Sequence, residues 1–124
     1  MTSQTGSRFV GIVDDDRSVQ RALKDLMESA GMAARCYGSA EEFLESERWP
    51  QTACLVLDFM MPGMSGLEMQ AKLKTLGSRL PIIFITAHGD ITMQTEAMKA
   101  GAEVLLKPFD DEVLLQKVRA ALRS

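Results

Sequence analysis

Cysteine is scarce in this chain: Cys36 and Cys54 are the two in 124 residues. That is too few for a disulfide framework or a cysteine-bound zinc, and it fits a reducing cytoplasm. No apolar run approaches the roughly 18 residues of a membrane span. Residues 1–7 are polar and lack the apolar core of a signal peptide, so export is not expected. Positive charge is also short, with 14 Lys+Arg against 17 Asp+Glu and a net charge of −3. The basic residues are scattered rather than striped, which argues against direct nucleic-acid binding by this chain. Repeats, low-complexity tracts and interdomain linkers are missing too.

What remains is the composition of one globular domain: 46% hydrophobic and 25% charged residues. A chain of this size buries enough surface to fold without a metal or disulfides. The expected organisation is a flexible tail at 1–7 and a single domain at 8–124.

Short apolar runs alternate with segments of helical period. Phe9-Val10-Gly11-Ile12-Val13, Cys54-Leu55-Val56-Leu57, Ile82-Ile83-Phe84-Ile85 and Val104-Leu105-Leu106 read as strands, and the weaker Ala33–Tyr37 as a strand nearer an edge. Runs apolar on both pleat faces suit a parallel sheet covered by helices on both sides. Between them, Val19, Ala22, Leu23, Leu26, Met27 and Ala30 recur at helical spacing, and Gly31 ends that helix. Ser39-Ala40-Glu41-Glu42 and Ser65-Gly66-Leu67-Glu68 fit capping boxes. Gly77 stops the third helix, Asp90 can cap a fourth that ends near Gly101, and Asp110 a fifth with Val113, Leu114, Lys117, Val118, Ala121 and Leu122 on one side. The pattern predicts an α/β fold: a doubly wound, five-stranded parallel sheet of order 2-1-3-4-5, flavodoxin-like, with helices on both faces. Strands one and three then flank the switch point, beyond whose carboxyl ends ligands bind.

Each strand ends in a polar group at that edge. The first runs into Asp14, Asp15 and Asp16, the third ends at Asp58, the fourth at Thr86 and the fifth at Lys107-Pro108. Asp16 reads as a helix cap. Two like charges 4 Å apart repel by about 1 kcal/mol in water and about 4 at an effective dielectric near 20. Three clustered carboxylates therefore call for a hard dication, and Mg²⁺ suits oxygen ligands. Asp15 and Asp58 are expected as its main holders, with Asp14 acting through water. Asp58 can also attack phosphorus to form an aspartyl phosphate. The metal and Lys107 would neutralise the phosphoryl oxygens, with the Thr86 hydroxyl and the Ala87 amide as further donors.

Val13-Asp14-Asp15, Asp58 followed by Met61-Pro62-Gly63-Met64-Ser65-Gly66, Thr86-Ala87 and Lys107-Pro108-Phe109 together resemble the receiver (CheY-like) domain of two-component response regulators. The likeness runs from Arg8 to Leu122. Thr86-Ala87-His88-Gly89-Asp90 and Glu96-Ala97-Met98-Lys99-Ala100-Gly101-Ala102 are most similar to the FixJ-type branch. The resemblance implies a phosphoacceptor switch rather than an enzyme. A sensor histidine kinase would phosphorylate Asp58; Asp14, Asp15 and the Met60 backbone carbonyl would join Asp58 around Mg²⁺; Thr86 and Lys107 would sense the phosphoryl group. It also implies a cis bond before Pro108, a homodimer through the face of the fourth helix, fifth strand and fifth helix, and control of transcription through a C-terminal DNA-binding domain absent from this chain. The family's aromatic switch position, three before the lysine, is Val104 here.

Other readings stand beside these. A Mg²⁺-dependent aspartyl phosphatase would use similar residues but needs a cap or pocket for its substrate. A flavodoxin-like nucleotide binder needs hydroxyls and amides where Asp14 and Asp15 stand. A non-phosphorylated docking module would keep only the fold. His88, the lone histidine, reads as a partly exposed loop residue, with a gate over the site as the alternative. Met60, Met61 and Met64 could form an adaptable partner surface, whereas Met27 and Met98 read as packing. Cys36 and Cys54, on strands two and three with strand one between them, would lie roughly 10 Å apart and read as buried thiols. Trp49, before Pro50, is expected at the end opposite the site.

Overall fold

A computed structural model describes residues 8–87 and 91–123. Its elements are β1 (Phe9–Val13), α1 (Arg17–Ser29), β2 (Ala34–Tyr37), α2 (Ala40–Glu45), a 3-10 turn (Trp49–Gln51), β3 (Thr52–Asp58), α3 (Gly66–Thr75), β4 (Ile82–Thr86), α4 (Ile91–Lys99), β5 (Glu103–Leu106) and α5 (Asp111–Leu122). The strands form one parallel sheet in the order β2-β1-β3-β4-β5.

Because successive strand residues point to opposite faces, the continuous apolar runs build two cores. On one face Phe9, Val13, Leu55, Leu57, Ile82 and Phe84 pack against Phe43, Met69, Leu73 and Ala97 from α2, α3 and α4. On the other, Val10, Ile12, Cys54, Val56, Ile83 and Ile85 pack against Leu23, Met27, Leu114, Leu115 and Val118 from α1 and α5. β5 closes the sheet as an edge, with Glu103 and Leu106 exposed and Val104 and Leu105 half-buried, so its fully covered reading holds only in part.

The helix starts follow their caps. Asp16 accepts from the Ser18 and Val19 amides, and Asp110 from Glu112. Ser65 and Glu68 form a complete capping box. At α2 the arrangement differs: Ser39 accepts from the Glu42 amide, but the Glu42 carboxylate reaches the Gly38 amide instead of that of Ser39. The expected cap Asp90 lies outside the described residues.

Several packing expectations are corrected. The buried face of α5 holds Leu115, and Val113 is exposed, because helical spacing alone leaves the phase of the stripe open. Ala22 is exposed. Met98 is 59% exposed, whereas Met61 belongs to the core. Val10 pairs with Cys54 and Ile12 with Cys36, so β1 does separate the two free thiols. Cys54 is fully buried, but Cys36 only half so. Trp49 packs on Phe43 just before β3, at the end opposite Asp58.

Candidate functional site

The carboxyl ends of β1, β3, β4 and β5 bring the predicted residues to one edge. Asp14, directly after β1, is 2% exposed. Its backbone is fixed on both sides: its amide donates to the Tyr37 carbonyl at 3.1 Å, and its carbonyl accepts from Gln20 Nε2 at 2.6 Å. One carboxylate oxygen, Oδ1, accepts from the Asp16 amide at 2.9 Å. The other, Oδ2, is buried with no hydrogen-bond partner among the described residues. Asp15 beside it is exposed. Asp58 ends β3, half-buried, and its Oδ1 accepts from the Met60 amide at 3.3 Å. One carboxylate oxygen from each of Asp14, Asp15 and Asp58 lies within 4.8 Å of the others.

The electrostatics follow from this crowding. Burial is the main force raising the Asp14 carboxyl above the usual aspartate range, with Asp58 and Asp15 adding to it and the Asp16 amide and Lys107 opposing. Burial likewise raises Asp58; the Met60 amide and Lys107 pull it down, and Asp15 pushes it up. The Lys107 ammonium is thus within electrostatic reach of both acids. It makes no ion pair with either, the salt bridge among the described residues being Lys117–Glu103.

Lys107 is held through its backbone, whose amide donates to the Thr86 carbonyl at 2.8 Å, and the Lys107–Pro108 bond is cis. Thr86 ends β4 with no exposed surface, and Ala87 after it is exposed. Val104 pairs with Phe84 across the sheet and packs against the core shared with α4. Met60 is 54% exposed beside Asp58. His88 lies outside the described residues.

A buried Asp14 oxygen without a donor among the described residues, on a carboxylate clustered with two more, suits a cation bound through oxygen; a phosphate would be repelled there. The chain matches the family model described as the response regulator receiver domain over residues 10–119. The chain is a response regulator receiver domain. Its relatives include the response regulator protein TodT of Pseudomonas putida, 46% identical over 97% of this chain and 56% of that protein. The nodulation protein W of Bradyrhizobium diazoefficiens is 47% identical over 97% of this chain and 53% of that protein. The receiver domain therefore spans about half the length of the curated relatives it matches. Among solved structures, FixJ-N superposes with a TM-score of 0.84 and 38% identity, covering 99% of this chain and 96% of that one. The response regulator StyR gives 0.87 and 48% over 94% of this chain and 60% of that one. Receiver domains are phosphorylation-controlled signalling switches, not enzymes in the ordinary sense, and they bind Mg²⁺ at an acidic pocket. Among the described residues, no helix is long and apolar enough to cross a membrane.

Two contributors to the site were missed in the sequence. Gln20 is six residues beyond Asp14, a spacing that says nothing until α1 folds back over β1. Glu41 reads from the sequence only as part of a helix start, yet its Oε2 accepts from the Met64 amide in the loop after Asp58.

Proposed function

We propose that Asp58 of this receiver domain accepts the phosphoryl group of a sensor histidine kinase. The observation that carries this is the placement of a half-buried aspartate at a strand end, among two further carboxylates and within the field of Lys107. In the transfer, the P–N bond to the kinase imidazole breaks as a P–O bond to an Asp58 oxygen forms; later, water takes the phosphoryl group and restores the carboxylate. Lys107 offsets charge on the phosphoryl oxygens, and the Thr86 hydroxyl and Ala87 amide donate to them. Asp14, Asp15, Asp58 and the Met60 carbonyl would hold Mg²⁺, which would supply positive charge against both the acids and the incoming phosphate.

The whole protein would be a cytoplasmic regulator of transcription with a DNA-binding output domain, 8–124 being the receiver; the tail expected at 1–7 lies outside the described residues. Phosphorylation would favour a homodimer through the α4-β5-α5 face, where Ile91, Met98, Leu106 and Val113 are exposed. Pro108 fixes the loop after Lys107, and Val104 replaces an aromatic ring at the switch position, so Thr86 moves without a partner ring swinging beside it.

Incubation with phosphoramidate and Mg²⁺ should add one phosphoryl group to the intact mass, and Asp58→Ala should abolish the gain. A wild-type protein that gains no mass refutes the proposal. Continued turnover of phosphate esters would point to a phosphatase instead.

A further inference from the structure

We infer that Glu41, on α2, is a positioning residue for the Asp58 site; the inference rests on the function proposed above. The loop between β3 and α3 carries the Met60 carbonyl past Asp58. Its two ends are well held. At the start, the Met60 amide donates to Asp58 Oδ1. At the far end, the Gly66 amide donates to the Phe59 carbonyl at 2.9 Å, and the Ser65 amide to Glu68 Oε1 at 2.9 Å.

The middle is different. Among the described residues, the one hydrogen bond made by residues 61–64 runs from the Met64 amide to Glu41 Oε2, at 3.0 Å and across 23 positions of sequence. Gly63 makes room for it. Its φ of +79° is left-handed, and a Cβ there would stand 2.8 Å from the same Glu41 oxygen. A loop with its middle released explores other backbone conformations, and each of them moves the Met60 carbonyl relative to Asp58. Glu41 is exposed, so this bond competes with water and is not part of the core. Neighbouring Glu42 points elsewhere and holds the Gly38 amide at 2.9 Å, so the two acids of one helical turn have separate tasks.

That separation supplies the test. Mg²⁺ titration followed at the Met60 backbone amide by NMR would be run on the wild type, Glu41→Ala, Glu41→Gln and Glu42→Ala, with amide exchange at Met64 read in parallel. Glu41→Ala should speed Met64 exchange and weaken Mg²⁺ binding about three- to tenfold, the size of one lost hydrogen bond. Phosphorylation by phosphoramidate should slow at limiting Mg²⁺ and recover at saturating Mg²⁺. Glu41→Gln keeps an acceptor oxygen and should restore most of the affinity, and Glu42→Ala should leave it unchanged. Equal Mg²⁺ affinity in the wild type and Glu41→Ala overturns the role of Glu41 alone. An equal loss in Glu42→Ala, or no rescue by Gln, overturns it as well. A wild type that binds no Mg²⁺ brings down the site's reading and this role together.

Discussion

The place a Cβ would take on Gly66 is already held by the backbone carbonyl oxygen of Asp58. Phe84 Cε1 at 2.9 Å and the Phe59 Cα at 3.0 Å close the other sides. The first residue of α3 therefore sits against the backbone of Asp58, and only a residue with no side chain allows that approach. Gly66→Ala should destabilise the domain by about 1–3 kcal/mol, as overpacking commonly does, despite the better helix propensity of Ala. It should also displace Asp58 and weaken Mg²⁺ binding. Urea unfolding with and without Mg²⁺ measures both effects, and a variant as stable as the wild type contradicts the contact.

Burial, with the neighbouring carboxylates, holds Asp14 and Asp58 above the ordinary aspartate value of 3.8. An acid whose native pKa is raised binds its proton more tightly when folded. Stability of the metal-free domain should therefore fall as pH rises from about 4 through the raised native values, and the full penalty applies above them. Asp58→Asn removes a large share of that charge. At neutral pH without metal its melting temperature should exceed that of the wild type by a few degrees. Millimolar Mg²⁺ should raise the wild-type melting temperature and leave the variant nearly unmoved. A variant that melts below the metal-free wild type at neutral pH would show that the acids do not repel one another as placed.

How far the site could be read in advance depended on the range of the interactions involved. The strands, their order and the residues at their carboxyl ends follow from apolar runs and from the rules of parallel sheets, so Asp14, Asp58, Thr86 and Lys107 could be placed before any coordinates. Local caps such as Asp16 and Ser65 follow from contacts within three residues. The phase of a helical stripe is less secure. Val113 and Leu115 are both apolar, and only the position of α5 over Ile83 and Ile85 buries the latter. Met61 and Met98 exchange their expected surroundings for the same reason. Gln20 and Glu41 were unreadable because polar side chains reaching a distant backbone leave no periodic trace.

The two thiols should differ in reactivity. Burial pushes Cys54 up to about 12, and the residue has no exposed surface. Burial also raises Cys36, with Lys24 opposing, but that residue is half-buried beside α1. Its Sγ donates to the Gln20 carbonyl at 3.4 Å. A maleimide at about pH 7.5 should label Cys36 slowly and Cys54 only after unfolding, since the thiolate is the reacting form. Peptide mapping of the singly labelled protein decides the point, and native-state labelling of Cys54 would contradict the packing of β3.

Among the described residues, Lys107 is a cation within reach of both raised acids, lowering Asp14 and Asp58 alike. Replacing it with Met keeps a comparable apolar stem and removes the charge. Both carboxyls should then rise further, so the stability loss of the metal-free domain, which still begins near pH 4, should continue to a higher pH and end larger than in the wild type. Mg²⁺ binding should tighten or hold, because a competing positive charge is gone from the same acids. Phosphorylation by phosphoramidate should nonetheless slow about a hundredfold, the scale on which removal of one charge-stabilising donor acts in phosphoryl and acyl transfer. The combination is diagnostic: intact metal binding with slow phosphorylation places Lys107 on the phosphoryl oxygens, whereas a parallel loss of both would place it in the scaffold of the loop after β5. Phosphorylation at the wild-type rate would remove it from the site altogether.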